Sequence, residues 1–374
     1  MKTSDLQFGF KEDLGCIHAL YTVRAALDYF NNNGSTVTLC ALDISKAFDK
    51  VDHHVLFSKL IDRKVPICLL RVRICWYSKC NAMVRLGSSL SRSFAVKVGV
   101  RQGGVLSPYL FAVYIDHLIC ALENSGHGCV IHGVYLGCIV YADDIFLMSH
   151  SLSSMQSMLD ICSSEIAKLH LKFNSKKSVT FRIGARYNFD CAPLILDGSV
   201  LSVVAMVRYL GIFIKSGRKM VCSFEHIRLK FYSTFNAIYR RSKSSDSELV
   251  TVELIRSFCL PLITYGLEAI NLRATDYLLL DNLLNNSLAK IFNLSHDKVV
   301  LHDIRFYLGI PSMKILCMSR HMKFLIKAMS LDNIAVRTAL LILQDERISL
   351  CDSVSVDIDC SLRTFCSAVT SFYS

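Results

Sequence analysis

A chain of 374 residues with 52% hydrophobic side chains is long enough to bury more than one core. No apolar run reaches the roughly 18 uncharged residues of a membrane span, and MKTSDLQFGF at the start lacks a signal-peptide core. The net charge of +11 suits a polyanionic partner, and sixteen cysteines with no C-x-x-C pair read as small buried hydrophobes of a reducing compartment rather than as zinc ligands. An intracellular protein is therefore expected, nuclear or cytoplasmic.

In chain order, apolar Ile17, Leu20, Val23, Leu27 and Phe30 are spaced along one face of a helix over 12–31. NNNGS at 31–35 is a turn. The continuous apolar run 37–43 predicts a strand covered on both faces, followed by a helix over 51–60. Residues 83–86 and 93–98 form a hairpin about GSSLS, and 99–108 is a loop. A long apolar helix then runs to about Asn124 through Leu106, Leu110, Val113 and Leu118. Strands over 134–141 and 145–148 make a second hairpin, and the serines of 149–154 cap a helix over 153–170. Strand-like runs occupy 171–181, 194–201 and 207–214, with a turn at Asp197 and Gly198. Beyond Cys222 the pattern is mainly helical, with Ile227, Phe231, Phe235 and Ile238 in one stripe. Pro261 should kink or end a helix that begins near Glu248. Between Arg208 and Lys243 nine Lys or Arg stand against Glu225 alone, as a solvated face or as a track for phosphates.

The tip of the second hairpin carries two aspartates, in GCIVYADDIFLMSHS over 137–151. A carboxylate beside a buried apolar run costs free energy unless a cation or a donor compensates it. Asp43 ends the strand 37–43 and is followed by ISKAFDKVD. If that strand lies beside the hairpin, Asp43 and Asp143 approach and repel. A pair of Mg²⁺ ions about 4 Å apart relieves such repulsion and suits phosphoryl transfer. Spacing alone leaves a second reading open, in which Asp43 caps the next helix and Asp143 and Asp144 form an ordinary turn.

YADD at 141–144 resembles the YxDD box of reverse transcriptases, and further blocks stand in the expected order. ALDISKAFDKVD at 41–52 resembles the first aspartate block of the non-LTR, long interspersed element type. GVRQGGVLSPYLF at 99–111 is similar to the RQG-x-x-LSP block, LKFNSKKS at 171–178 to L-x-x-N-x-x-K-[ST], and VRYLGI at 207–212 to the YLG primer-grip block. LQFGFK at 6–11 resembles the segment preceding the palm, and LPLITYG at 260–266 a segment of the thumb.

The resemblance implies an α+β polymerase palm, an antiparallel sheet with packed helices and partial fingers, followed by a helical thumb. It implies palm over 1–215, thumb over 216–300 and a helical extension of unknown role over 301–374. Asp43 and Asp143 would be the principal metal ligands, with Asp144 auxiliary and the carbonyl of Ile44 completing the set for two Mg²⁺ ions, or Mn²⁺ in their place. Phe48 would be the gate against a ribose 2′-OH. Arg101, Gln102 and Gly103, with Gly104, would lie at the incoming nucleotide and nascent base pair. Lys177 would meet the triphosphate and donate a proton to pyrophosphate. Tyr209, Leu210 and Gly211 would hold the primer end, and Arg228, Lys230, Arg240 and Arg241 would follow the duplex phosphates. The implied partners are an RNA template, a DNA primer and deoxynucleoside triphosphates, with no membrane.

The sequence departs from that pattern in two places. The family's N-terminal fingers precede the QFGF segment, which here starts at Leu6, so a palm and thumb from a larger polyprotein are expected. Gly104 stands where the family often has Asp, Cys or Ser. RNA-directed DNA polymerase is the leading reading. A catalytically incompetent remnant that binds nucleic acid and a two-metal phosphohydrolase or nuclease are the rivals.

Overall fold

The computed structural model describes residues 3–242, 247–294 and 298–343. Lys243 of the basic stretch and residues 344–374 of the expected extension lie outside them. Chain order begins α1 (Cys16–Asn32), β1 (Val37–Asp43), a 3-10 turn (Phe48–Lys50), α2 (His53–Asp62) and α3 (Ile67–Ser78). Four two-residue strands follow: β2 (Asn81–Ala82), β3 (Arg85–Leu86), β4 (Ser89–Leu90) and β5 (Phe94–Ala95). Then come α4 (Ser107–Glu123), the ribbon β6 (Val130–Ile131) with β7 (Val134–Tyr135), β8 (Cys138–Tyr141), β9 (Asp144–Ser149) and α5 (Leu152–Lys168). Strands β10 (Val179–Ile183), β11 (Ile195–Leu196), β12 (Ser199–Val200), β13 (Ser202–Val203), β14 (Met206–Tyr209), β15 (Ile212–Lys215) and β16 (Val221–Ser223) complete the sheet region. The remainder is helical: α6 (Glu225–Ser242), α7 (Glu248–Phe258), α8 (Leu260–Thr264), a 3-10 turn (Leu267–Ala269), α9 (Ala274–Ile291), α10 (Lys298–Tyr307), α11 (Met313–Met329) and α12 (Ile334–Ile342).

The chain divides into two units. The first comprises Met1–Val207, Ser216–Met220 and Asn333–Thr338, and the second Arg208–Lys215, Val221–Asp332 and Ala339–Ser374.

The first unit is built on a five-stranded sheet of order β13-β10-β1-β9-β8. All its pairings are antiparallel except β10 with β13. β1 lies between β10 and β9, and Val37, Thr38, Leu39 and Cys40 are buried in succession, as the continuous apolar run predicts. α1 and α4 pack on the sheet, and α5 packs on β9 and α4. Leu39, Phe111, Phe146 and Phe181 are fully buried between these layers. Each such side chain contributes about 1.5–3 kcal/mol by burial.

Several elements differ from the sequence reading. α1 begins at Cys16, and Asp13, at φ +59°, keeps the chain non-helical before it. Its positions 18–27 are all buried, so helical periodicity understates how completely it is enclosed. Asp52, not Asp43, caps α2: its Oδ1 accepts from the backbone of His54 at 2.8 Å and Val55 at 3.2 Å. α3 leaves no helical period in the sequence, because its apolar and cationic residues alternate without a face and only Leu70 in it is buried.

The hairpin over 81–95 pairs Arg85 with Leu90 about Gly87, at φ +61°, so Ser89 and Leu90 are strand rather than turn. The expected strand 134–141 is broken at Gly137, where a Cβ would come within 2.7 Å of the Tyr135 hydroxyl. Ser151 is the N-cap residue of α5 but makes no side-chain cap bond. Strand β10 begins only at Val179, because 174–178 turns around the end of β1. Among the described cysteines Cys40, Cys129, Cys138, Cys162, Cys222, Cys259 and Cys317 are buried as expected, whereas Cys68, Cys75 and Cys191 are exposed.

The second unit holds the three-stranded sheet β14-β15-β16 from Arg208 on and a set of helices in which α6 packs on α7, α8 and α9. Phe231 and Phe235 of the expected stripe are buried, one helical turn apart. Pro261 divides the second apolar helix as predicted: α7 stops at Phe258, and Cys259 joins it to the short α8. The stretch Glu248–Ala269 is long and apolar enough to cross a membrane by length and composition alone. It is nevertheless three separate pieces, with Val252, Ile255, Cys259, Ile263 and Leu267 buried.

Candidate active site

The end of β1 and the turn of the β8–β9 hairpin meet at one edge of the five-stranded sheet. Asp43 is the cross-strand partner of Asp144, and Tyr141 pairs with Asp144 to close a two-residue turn of Ala142 and Asp143. Directly opposed residues of an antiparallel pair project to the same face, where like charges destabilise. Asp43 and Asp143 are half-buried and Asp144 is exposed. Burial, and then the Asp43 carboxylate, hold the Asp143 carboxyl above its ordinary range. Although the residue is exposed, partial desolvation of its carboxyl at the strand end, then Asp143, then Asp43 push Asp144 up to about 6. Asp43 and the adjacent pair Asp143 and Asp144, a hundred positions on, thus form one electrostatic group.

The segment 171–178 clamps this edge. Asn174 donates its backbone N–H to the Asp43 carbonyl at 2.8 Å, and the Asp43 N–H donates to the hydroxyl of buried Ser178 at 3.1 Å. Lys177, on the same turn, places Nζ 3.9 Å from the Asp43 carboxylate. Its ammonium is exposed, so this pair adds little stability. Ile44 bridges Phe173, flanked by bonds from Ser45 to Lys172 and from Asn174 to Asp43. In that pattern Ile44's own carbonyl turns away from Phe173, toward the edge held by β9 and the aspartates.

Phe48 follows on the 3-10 turn, half-buried and stacked on Phe111 with ring centroids 4.7 Å apart. Its carbonyl accepts from Val100 at 2.8 Å, which ties the 99–104 loop to it. His53 Nε2 lies 2.8 Å from the Gly99 carbonyl, and Gln102 donates to Asp49 at 2.9 Å. Arg101, Gln102 and Gly103 are exposed, and Gly103 has φ +77° with open space at its Cβ position. A Cβ at Gly104 would sit 2.7 Å from the Ser107 hydroxyl and 3.1 Å from the Arg101 carbonyl, so a larger residue there needs the Ser107 side chain to turn aside.

The remaining expected residues belong to the second unit. Tyr209 and Ile212 flank a two-residue turn in which Leu210 has φ +44° and Gly211 +86°, the pairing that tight hairpins favour. Tyr265 donates its hydroxyl to the Leu210 carbonyl at 3.0 Å. Arg228, Lys230, Arg240 and Arg241 are exposed on α6, and Arg228 pairs with Glu225 at 2.7 Å.

Sequence reasoning gave no role to Gln7, Asn174, Ser178, Asp49 or Tyr265. Gln7 carried a readable signal, a polar residue between Leu6 and Phe8 in an apolar run. The others stand inside quoted blocks or beside them, but their partners are distant in sequence.

Among the described residues no three His, Cys, Asp or Glu side chains close around one point. The chain offers an open carboxylate edge instead, and Mg²⁺ in phosphoryl-transfer sites is held by one or two carboxylates together with substrate phosphates. The mutual repulsion of Asp43, Asp143 and Asp144, with a backbone carbonyl facing the same edge, fits a divalent cation.

An acid at a strand end thus faces two acids at the adjoining hairpin over a helix-backed, mainly antiparallel sheet, the arrangement that the resemblance to a polymerase palm implies. The reverse transcriptase (RNA-dependent DNA polymerase) family profile matches residues 1–214. The chain belongs to that family. It is 26% identical over 289 residues to the RNA-directed DNA polymerase from mobile element jockey of Drosophila funebris, covering 73% of this chain and 30% of that protein. It is 28% identical over 188 residues to the retrovirus-related Pol polyprotein from type-1 retrotransposable element R2 of Popillia japonica, covering 48% of this chain and 26% of that one. The chain thus spans less than a third of the length of either relative. Among solved structures, the Candida tropicalis telomerase in complex with a TWJ fragment of telomeric RNA aligns with TM-score 0.43 and 14% identity, over 87% of this chain and 52% of that one.

Proposed function

We propose that this chain adds deoxynucleotides to a primer 3′-OH on an RNA template, through a catalytic edge formed by Asp43, Asp143 and Asp144. The observation that carries this is the cross-strand pairing of Asp43 with Asp144, with Asp143 in the adjoining turn. Asp43, Asp143 and the Ile44 carbonyl would hold two Mg²⁺ ions, or Mn²⁺, with Asp144 auxiliary. Such ions supply a Lewis acid for the α-phosphate and offset the developing charge.

The chain's own residues do the rest. Lys177 binds the triphosphate and donates a proton to the departing pyrophosphate, a role supported by its ammonium lying 3.9 Å from the Asp43 carboxylate. Phe48, fixed against Phe111, excludes a 2′-OH by bulk. Arg101, Gln102 and Gly103 line the nucleotide, with the Gln102 amide oriented by Asp49. Tyr209, Leu210 and Gly211 hold the primer end, and Arg228, Lys230, Arg240 and Arg241 neutralise duplex phosphates. We read the first 215 residues as palm with residual fingers, 216–300 as thumb and the rest as an extension of the helical part. The partners are nucleic acid and deoxynucleoside triphosphates, acting inside the cell without a membrane.

Primer extension on a poly(rA) template with the purified chain tests this reading. Extension that Asp143→Asn abolishes while duplex binding persists is the expected result. Salt-sensitive duplex binding with no extension by the natural chain would make it a binding remnant. Phosphodiester cleavage in place of extension would make it a nuclease.

A further inference from the structure

The turn that carries Asp143 is strained and is held from outside the hairpin. Ala142 is buried at φ +59°, a conformation that costs an L-residue about 1–2 kcal/mol. Strand β8 is the last in the sheet order, and the segment around Gln7 runs along its outer side. Phe8 N–H donates to the Val140 carbonyl at 2.8 Å, and Val140 N–H donates to the Leu6 carbonyl at 2.9 Å. The Gln7 side chain, fully buried, then reaches past the strand end. Its Oε1 accepts from Ala142 N–H at 3.2 Å and from Gly9 N–H at 3.0 Å. Gly9 closes the approach, since a Cβ there would lie 2.6 Å from the Ala142 nitrogen.

We propose that Gln7 is a positioning residue for the catalytic edge, holding Ala142 in its left-handed conformation and so fixing where Asp143 presents its carboxylate. Its chemistry identifies the acceptor as the part that matters. Nε2 is buried with no hydrogen-bond partner, a cost that an apolar side chain of the same length would avoid. What Gln supplies and Met does not is one oxygen able to bind two backbone amides at once. The amide of Ala142 lies in the two-residue turn, beyond the last ladder pair, and meets its acceptor off the hairpin. Oxygen from residue 7 meets it without adding a charge next to three carboxylates that already repel.

This inference rests on the reading of Asp143 as a metal ligand, and the test separates the two. Gln7→Met keeps length and removes the acceptor. It should speed hydrogen exchange at the Ala142 amide and weaken Mn²⁺ binding, measured without nucleic acid, by about 10-fold or more, as loss of supporting bonds around metal ligands does. Glycine adopts positive φ without strain, so Gln7→Met combined with Ala142→Gly should recover most of the Mn²⁺ affinity, an outcome that a core-packing role for Gln7 does not give. Unchanged exchange at Ala142 in Gln7→Met, or a Mn²⁺ defect the glycine does not relieve, would overturn the proposal. Should Gln7→Met alone fail to fold, a folded double variant with natural Mn²⁺ affinity supports it and an unfolded one sinks it. A natural chain that binds no Mn²⁺ ends the metal reading, and the exchange measurement then decides the role of Gln7 by itself.

Discussion

Asp43, the last residue of β1, stands directly across from Asp144, the first residue of β9. The two strands are central neighbours of the sheet, so their ends are fixed by the most buried part of the first unit. Removing charge at this edge while keeping shape is the direct test. Asp143→Asn is expected to lower primer extension by about 100-fold or more, the scale of losing a preorganised electrostatic group. Duplex affinity at fixed salt should stay within a factor of about two, because the change removes no cation that neutralises a phosphate.

The raised carboxyls give a pH dependence of stability whose sign is fixed. Asp144, pushed up to about 6, and Asp143, also raised, bind protons more tightly in the folded chain than in the unfolded one. With no divalent ion present, they should make the fold more stable as pH falls from 7.5 toward 5 and less stable as pH rises through about 6. Asp144 is exposed, so screening limits its share to under about 1 kcal/mol. Thermal melts should show the trend shrinking in Asp144→Asn and on adding Mg²⁺ at pH 7.5.

Phe48→Val shortens the side chain that stacks on Phe111. Discrimination against ribonucleotides is expected to fall by about 10-fold or more, since the effect is one of fit against a single hydroxyl. Competing UTP and dUTP incorporation opposite the poly(rA) template measures it, and an unchanged ratio removes Phe48 from the gate.

Changing Arg228, Lys230, Arg240 and Arg241 together to Ala should flatten the salt dependence of duplex binding. Each phosphate that is no longer neutralised reduces the logarithmic slope by about 0.7–0.9. Arg228 already pairs with Glu225, so its share is the smallest. A slope equal to that of the natural chain would return this face to simple solvation.

Gly211→Ala tests the turn between β14 and β15. A Cβ there would be 3.0 Å from the Tyr265 ring, at a φ of +86°. Thermal or denaturant unfolding should show a loss of about 1–2 kcal/mol. Tyr265→Phe in the same background should not restore it, because the ring remains and only the bond to the Leu210 carbonyl is removed.

Amino-acid order alone specifies the α+β succession, the buried strand 37–43, the division at Pro261 and the ordered blocks that mark the family, because these depend on local apolar runs, turn residues and near-neighbour spacing. It could not show that Asp52 rather than Asp43 caps α2, because both precede apolar helical residues and only the register of β1 distinguishes them. Nor could it show that Ser178 and Asn174 grip Asp43, or that Gln7 reaches Ala142. Those bonds join positions more than a hundred residues apart, and sheet pairing alone brings them within reach. Helix α3 is illegible for a different reason: apart from Leu70 its apolar residues do not face a core, so no periodicity records it. Local pattern writes the elements, and long-range strand register decides which of their side chains share a site.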